Sequence, residues 1–554
     1  MLNLSRRSEA MAKKEIDKAF ENLPAFAAEY IKLVIRKMGY RRKVREEVRE
    51  ELVDHFETAL KDCATDAEKE QKAQKLISEF GDAKLLAKLM RRAKKRCRPL
   101  WQKIIVRGSV VTLIIFAYLF ICGFWLRIGR PTIKINYAQW LTDQQRQGRD
   151  ESLNAKPDMD KAAKLIRDSN GWINVYDVFR LRLWPQDMND SQRTVVTNYL
   201  TANDKAIDIF NTALEKPYFW TDYNSAGPII IEANSVLSVN PDFIYSIHQP
   251  LGLYRLIAQI LYVRINQRVY SGDIDGAVDD IISLLNLSFH LEQQDFLVHQ
   301  LVATAIESLE YNQISMVLSR MDIPSEQLKR LQDELTINFK EHEFPINLNG
   351  EKVFWYALVQ QGFTDNGKGS GKMLRAGTIY FVHDWKDAIW SFLTFRYPDR
   401  QEALAHVDKM FAEVRKNFQI TPWQRKAKIP KFTFTSVQDQ IINPNYERIA
   451  YTAWRLKTHR EAVLTILAVL RYQKEKGKYP DNLDDLVKTG YLIKLPEDPF
   501  GSGPLSYKKT TEGFMLYSWG SNLKDDDGQA VREKGKIRQW ADEGDWVFWP
   551  VEKK

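Results

Sequence analysis

The hydrophobic and polar positions along the chain change period three times, and the changes divide it into four regions. In residues 24–95 apolar side chains recur at helical spacing: Tyr30, Leu33, Val34 and Met38 form one stripe, and Val44, Val48, Leu52, His55 and Phe56 another. The alternating charges of Arg41 to Glu57 make a solvated outer face, and Gly81-Asp82 punctuates before a last helix from Ala83 to Met90. Periodicity then gives way to Gly108–Leu126, 19 consecutive residues without a charge. Beyond it, helical spacing returns in Asp160–Asp168, Ala206–Leu214, Leu253–Tyr270, Ile274–His290 and Leu301–Met316. Residues 346–440 mix periods. The C-terminal region opens with Asn443-Pro444, a favoured helix start. A long helix is expected to run through Ile449, Ala453, Leu456, Val463, Leu467 and Leu470 to about Glu475, with Gly477 ending it. Leu505–Tyr507 and Phe514–Ser518 read as short strands about a Glu512-Gly513 turn, and Trp546–Trp549 as a third.

The uncharged run has the length of a bilayer crossing. A hydrocarbon core of about 30 Å needs roughly 20 apolar residues at 1.5 Å each, and Trp101 and Trp125 stand at the ends, where indole rings favour the interface. A secretory signal is not expected, because more than 100 residues of helical pattern precede the run. Charge gives it a direction. The chain carries +9 over 554 residues, but residues 1–107 hold 27 Lys+Arg against 17 Asp+Glu, a balance of +10, and the remainder holds 54 against 55, a balance of −1. Arg91, Arg92, Lys94, Lys95, Arg96, Arg98, Lys103 and Arg107 precede the run, whereas only Arg127, Arg130 and Lys134 follow closely. The N-terminal side is therefore expected in the cytoplasm, the span in the cytoplasmic membrane, and the residues after 128 outside it. The basic run reads as a topology signal and lipid-headgroup contact rather than a nucleic-acid surface, because no aromatic interleaving or reading motif accompanies it. A mean hydropathy of −0.41 excludes a polytopic transporter. The three cysteines, Cys63, Cys97 and Cys122, leave everything beyond the span without a possible disulfide, so that region is held by its cores.

Catalytic patterns are absent from the sequence. The eight histidines, His55, His248, His290, His299, His342, His383, His406 and His459, form no HExxH or paired-ligand spacing, and no G-x-S-x-G is present. Asn366-Gly367-Lys368-Gly369-Ser370-Gly371-Lys372 fails as a phosphate loop, since Asn366 and Met373 stand where Gly and Ser/Thr are required; a surface loop is expected. His55 is read as packing its ring on an amphipathic face. Trp355, Trp385, Trp390 and Trp423 are read as core anchors. Glu341, Glu343 and Asp384 are the carboxylates from which a hydrolase site in the middle region could be assembled.

Three resemblances add to this. Val44 to Met90 resembles the short helical prefix domain that precedes bacterial membrane segments, including those of permeases, with Phe80-Gly81-Asp82-Ala83 in place of the usual ending; it implies a cytoplasmic interaction or regulatory module and no catalysis. Leu253 to Leu291, two apolar helices about Ser271-Gly272-Asp273, is similar to a tetratricopeptide-type hairpin, with an irregular bundle as the equal alternative because the consensus does not recur at fixed period. The C-terminal order is a long helix, Tyr479-Pro480, Leu483, Leu486, Leu495-Pro496, Asp498-Pro499-Phe500-Gly501, Tyr507, Tyr517-Ser518 and Gly520. It resembles the globular domain of type II secretion major pseudopilins over about 100 residues. That resemblance implies one long helix on a small antiparallel sheet. It also implies calcium in the following loop, here at Asp525, Asp526, Asp527, Asp542 and Asp545, as hard oxygen ligands on a turn would suit; a solvated acidic turn is the plainer alternative. The pattern departs from the family in one respect. The apolar run lies more than 300 residues upstream instead of continuing into the helix, and Arg448, Arg455, Lys457, His459 and Arg460 stud that helix, so a reused module is expected rather than a pseudopilus subunit.

The expected architecture is a mainly α chain with a small α+β C-terminal module: a basic cytoplasmic helical head (1–102), a transmembrane helix (103–128), a helix-rich extracytoplasmic domain (129–440) and the pseudopilin-like module (441–554). The expected function is that of a single-pass interaction or scaffold protein of the bacterial cell envelope, contacting membrane lipids and protein partners. The alternatives are an envelope hydrolase with its site in the middle region and a transmembrane signalling protein.

Overall fold

The computed structural model describes residues 20–96, 100–167, 172–224, 241–339, 346–374, 397–425 and 446–551. Glu341, Glu343, Asp384, His342, His383, Trp385, Trp390 and the start of the C-terminal long helix lie outside the described residues. The described chain is mainly helical with a small C-terminal sheet, and it divides into two compact units, residues 1–121 and 122–554.

The first unit contains α1 (Ala25–Lys37), α2 (Arg42–Leu60), α3 (Asp66–Phe80), α4 (Ala83–Arg96) and most of α5 (Leu100–Arg127). Its core takes Val34, Met38, Val48, Leu52 and Phe56 from the expected stripes together with Ile31, which they did not include, while Tyr30, Leu33 and Val44 pack partly buried against it. The His55 ring packs edge-on against Phe80 at 5.4 Å. Thr65 and Glu68 close a capping box at the start of α3. Asp82 accepts from the main-chain N–H groups of Lys84 and Leu85 to start α4, and Tyr30 donates to the Gly81 carbonyl at the corner between them.

Among the described residues, Ile104–Arg127 is the one helix long and apolar enough to cross a membrane, and none of its most apolar stretch is buried. Leu113 is 71% and Phe120 74% exposed. A core helix of this composition would have its apolar surface covered; this one leaves it bare, as a lipid-facing helix does.

The second unit holds α6 (Tyr137–Arg146), α7 (Lys156–Arg167), α8 (Trp172–Arg180), α9 (Asp190–Leu214), α10 (Pro241–Ser271), α11 (Ile274–Glu292), α12 (Leu297–Arg320), α13 (Ser325–Phe339), α14 (Asn349–Gly362), α15 (Arg400–Phe418) and α16 (Pro422–Arg425). These are followed by α17 (Tyr446–Lys476), α18 (Leu483–Lys488), β1 (Ser506–Lys509), β2 (Phe514–Ser518), β3 (Arg532–Glu533), β4 (Lys536–Ile537) and β5 (Trp546–Trp549). The 190s helix begins well before Ala206. The Asn203 amide is buried and donates to the Tyr199 carbonyl one turn back, so it is satisfied within the helix. The hairpin of α10 and α11 forms as expected, with Asp273 capping α11 through the Gly276 N–H at 3.0 Å. Asn366 to Lys372 closes as a small loop, Thr364 and Asn366 donating to the Lys372 and Ser370 carbonyls.

Strands β1, β2 and β5 form an antiparallel sheet in that order, with a bulge between Leu516 and Tyr517. Phe514, Leu516, Trp546 and Phe548 turn their side chains inward onto α17. That helix is buried on more than one side. Ile466, Leu467, Ala468 and Val469 are four successive residues with no exposed surface, because the sheet covers one side of α17 while α12 and α13 cover another. Gly477, at φ +74°, ends it. One apolar core thus runs from Met159, Ile207 and Leu284 through Leu467 to Phe500 and Trp546; the C-terminal module has no core to itself.

Replacement of Leu467 by Ala is expected to cost about 2–5 kcal/mol. In denaturant titrations, far-UV circular dichroism and tryptophan fluorescence are expected to shift to lower denaturant together, since helices and sheet share this side chain. An unchanged helical transition beside a shifted tryptophan signal would contradict the continuous core.

Candidate functional site

Two places in the second unit gather polar chemistry. The first is an open cleft of about 620 Å³ between α6, the α11–α12 connection and α14. Glutamine amides build it. The Gln145 side chain donates to Asp295 Oδ2 at 2.9 Å and accepts from the Thr221 N–H at 3.2 Å. Gln294 donates to the Phe219 carbonyl, and Gln300 ties the Gln294 carbonyl to the Asn347 N–H. An amide offers both a donor and an acceptor without charge, and Gln300 uses both to join two main-chain segments in the interior. On the rim, the Arg149 guanidinium lies 3.9 Å from the centre of the Tyr218 ring. Across the cleft, Lys352 pairs with Asp408 at 2.7 Å, and Tyr356 donates to the same carboxylate.

Acids in this wall are tuned by burial. Desolvation raises the Asp295 carboxyl, against the lowering effect of the Gln145 hydrogen bond. Behind it, Glu351 accepts from the Leu297 N–H at 2.7 Å, and burial pushes its carboxyl up to about 7.

The second place is a closed cluster where α11, α12 and α17 meet. Glu292, Glu307 and Glu310 are buried with Tyr311, His459 and Arg460. The Tyr311 hydroxyl donates to Glu307 at 2.9 Å, and Ser288 donates to Glu310 at 3.3 Å. Burial raises all three carboxyls, with Glu307 reaching about 7; for Glu307 and Glu292 the Arg460 charge opposes the rise. Three ionised carboxylates facing one guanidinium would be prohibitively unfavourable here, so protons remain on part of the set. Periodicity assigned these positions only to helix faces. The one signal that could have found them is acidic residues standing where an inward-facing stripe should be apolar.

The acidic C-terminal turn is held by its own hydrogen bonds. Asp545 accepts from the Gly528 N–H at 2.6 Å and the Asp526 N–H at 3.2 Å, and burial pushes its carboxyl up to about 6. Asp525 accepts from Tyr517 and from the Asp527 N–H, and Asp526 from Asn522. Gly528, at φ +84°, has Met515 Sδ where a Cβ would stand. Asp525, Asp526 and Asp545 therefore come together, whereas Asp527 pairs with Lys508 and Asp542 interacts with Arg455 and Tyr451. Among the described residues no group of three or more His, Cys, Asp or Glu is arranged to hold a metal ion. Trp355 is a core side chain, and Trp423 packs edge-on against Trp519 at 5.3 Å.

No family model, curated protein or solved structure matches the chain.

Removing the opposite charge by Arg460→Met is expected to cost about 3–5 kcal/mol, with partial recovery on adding Glu307→Gln, read by chemical denaturation. The pH dependence has a definite sign. The Glu307 carboxyl is raised from its ordinary 4.5 to about 7, so its contribution is full below pH 4.5 and is lost as pH rises through about 7. Melting temperature measured from pH 4.5 to 8 is expected to fall less steeply in Glu307→Gln than in the unmodified chain.

Proposed function

We propose that the chain is a single-pass membrane-anchored interaction protein of the bacterial cell envelope, with its basic head in the cytoplasm and its larger unit outside. The observation that carries the reading is α5: a 24-residue apolar segment, Ile104–Arg127, whose surface is left bare. The excess of basic residues on its N-terminal side supports the orientation. The cleft between α6 and α14 supports binding of a polar protein segment. It is open, lined by amides, an arginine and a lysine, and framed by rigid helices. The resemblance of the C-terminal region to major pseudopilins supports including calcium in the proposal, with Asp525, Asp526 and Asp545 as the carboxylates of the acidic turn that stand together.

A second reading, an envelope hydrolase, rests on the Asp295 carboxyl in the cleft wall, which burial raises above the usual carboxylate range and which stands where a substrate could meet it.

Four measurements test the reading. The chain is expected to stay in the membrane pellet after alkaline carbonate washing. Cys63 is expected to be shielded from an impermeant thiol reagent in intact cells, while a cysteine introduced at Ser502 reacts; the reverse pattern overturns the orientation. Proximity labelling from the C-terminus is expected to mark extracytoplasmic proteins, with a set that shrinks in the Arg149→Glu, Lys352→Glu variant. Calcium chloride is expected to raise the melting temperature, and Asp545→Asn to abolish the rise; no rise in the unmodified chain removes calcium from the proposal.

A further inference from the structure

A second cavity, of about 260 Å³, lies where the helical bundle meets the C-terminal sheet, apart from the cleft and sharing only His459 with the glutamate cluster. Its walls come from the turn after α8, from α10 and α12, from α17, and from β4 and β5. Its composition is one-sided. Arg182 and Lys536 line it, no Asp or Glu does, and among the described residues neither cation has an ion-pair partner. A third cation stands behind the wall, the Arg320 guanidinium stacked 4.3 Å from the centre of the Trp184 ring. In a chain region whose net charge is near zero, an acid-free pocket with two cations in its lining is a local choice.

The remaining wall is flat and apolar with a few polar points. Trp184 and Phe548 supply aromatic faces, while Asn312, Ser315 and Gln539 supply uncharged donors and acceptors. His459 provides the independent observation. It is 2% exposed and lines the cavity, and its Nδ1 has no hydrogen-bond partner. Burial and the Arg455 charge hold its imidazole neutral, with the pKa down at about 3. The ring is fixed among Tyr311, Trp540 and Phe548, each 5.3–5.4 Å away. A buried nitrogen without a partner costs free energy unless a ligand completes it. The core acids do not supply that partner: Glu307 takes its hydrogen bond from Tyr311, on the bundle side of the histidine.

We propose that this cavity is a binding site for a small aromatic carboxylate. The carboxylate is held by Arg182 and Lys536, the ring lies between Trp184 and Phe548, and His459 gives its free nitrogen to the ligand. Because the walls come from both the helical bundle and the sheet, an occupant bridges the two and stabilises their junction.

The test uses benzoate and its uncharged isostere benzamide, titrated into the full chain in detergent and read by calorimetry and melting temperature. Benzoate is expected to bind and to raise the melting temperature, with benzamide at least tenfold weaker. The Arg182→Gln, Lys536→Gln double variant is expected to lose at least tenfold in benzoate affinity while its unliganded melting temperature stays near that of the unmodified chain. Equal binding of benzoate and benzamide overturns the proposal, as does undiminished benzoate binding in the double variant or no benzoate binding at all. The comparison of the two probes on the unmodified protein decides the matter even if the variant is unstable.

Discussion

The guanidinium of Arg460 is buried on the long helix α17 with the carboxyl groups of Glu292 and Glu307, and much of the second unit depends on that arrangement. A charge this deep is tolerated only when opposite charge and hydrogen bonds surround it. The partners come from α11 and α12, so α17 can settle in one rotation and one register against the bundle. Once it is seated, Ile466 to Val469 are covered on the bundle side and the sheet closes over the other. Truncating the arginine would strand the carboxylates, whereas a wholly apolar junction would allow α17 to slide; the charged cluster exchanges some stability for a defined fit.

The same economy governs the cleft. Its shape is held by buried amides that join main-chain segments far apart in sequence, Gln145 to Thr221 and Gln300 to Asn347 among them. Gln360 does the same for the segment after the apolar helix, accepting from the Lys134 and Ile135 N–H groups. Amides satisfy irregular main chain without importing charge, so the charges that are present, Arg149, Lys352 and Asp408, remain at the rim where a partner can meet them.

The last residues of α5, from Cys122 on, belong to the second unit and are tied into it. Lys372 donates to the Trp125 carbonyl at 2.7 Å, and Tyr397 stacks on the Trp125 ring. At the end of the helix the Trp125 carbonyl accepts a long 3.3 Å bond from the Ile128 N–H, and a lysine from a distant loop adds a shorter one. The tryptophan read from the sequence as an interfacial residue is thus also a structural joint.

Periodicity and composition alone determined the elements: the four helices of the head, the bare apolar helix, the hairpin of α10 and α11, α17 up to its glycine, and the three main strands. These are local outcomes, set by which side chains recur every three or four residues, or every two, and by where glycine can turn the chain. Tertiary structure decided what those elements share. Periodicity leaves Glu292, Glu307, Glu310 and Arg460 as positions on separate helices; only the meeting of three helices shows that they are interior. The helix around Asn203 extends beyond the periodic stretch Ala206–Leu214, and the buried Asn203 amide is satisfied within it. α17 packs in the bundle and against the sheet at once. The acid-free cavity beside His459 has no counterpart in any local pattern, since its walls are drawn from six segments between Arg182 and Val551. Local periodicity can say that a face is apolar, but which face covers it is fixed only when distant segments pack.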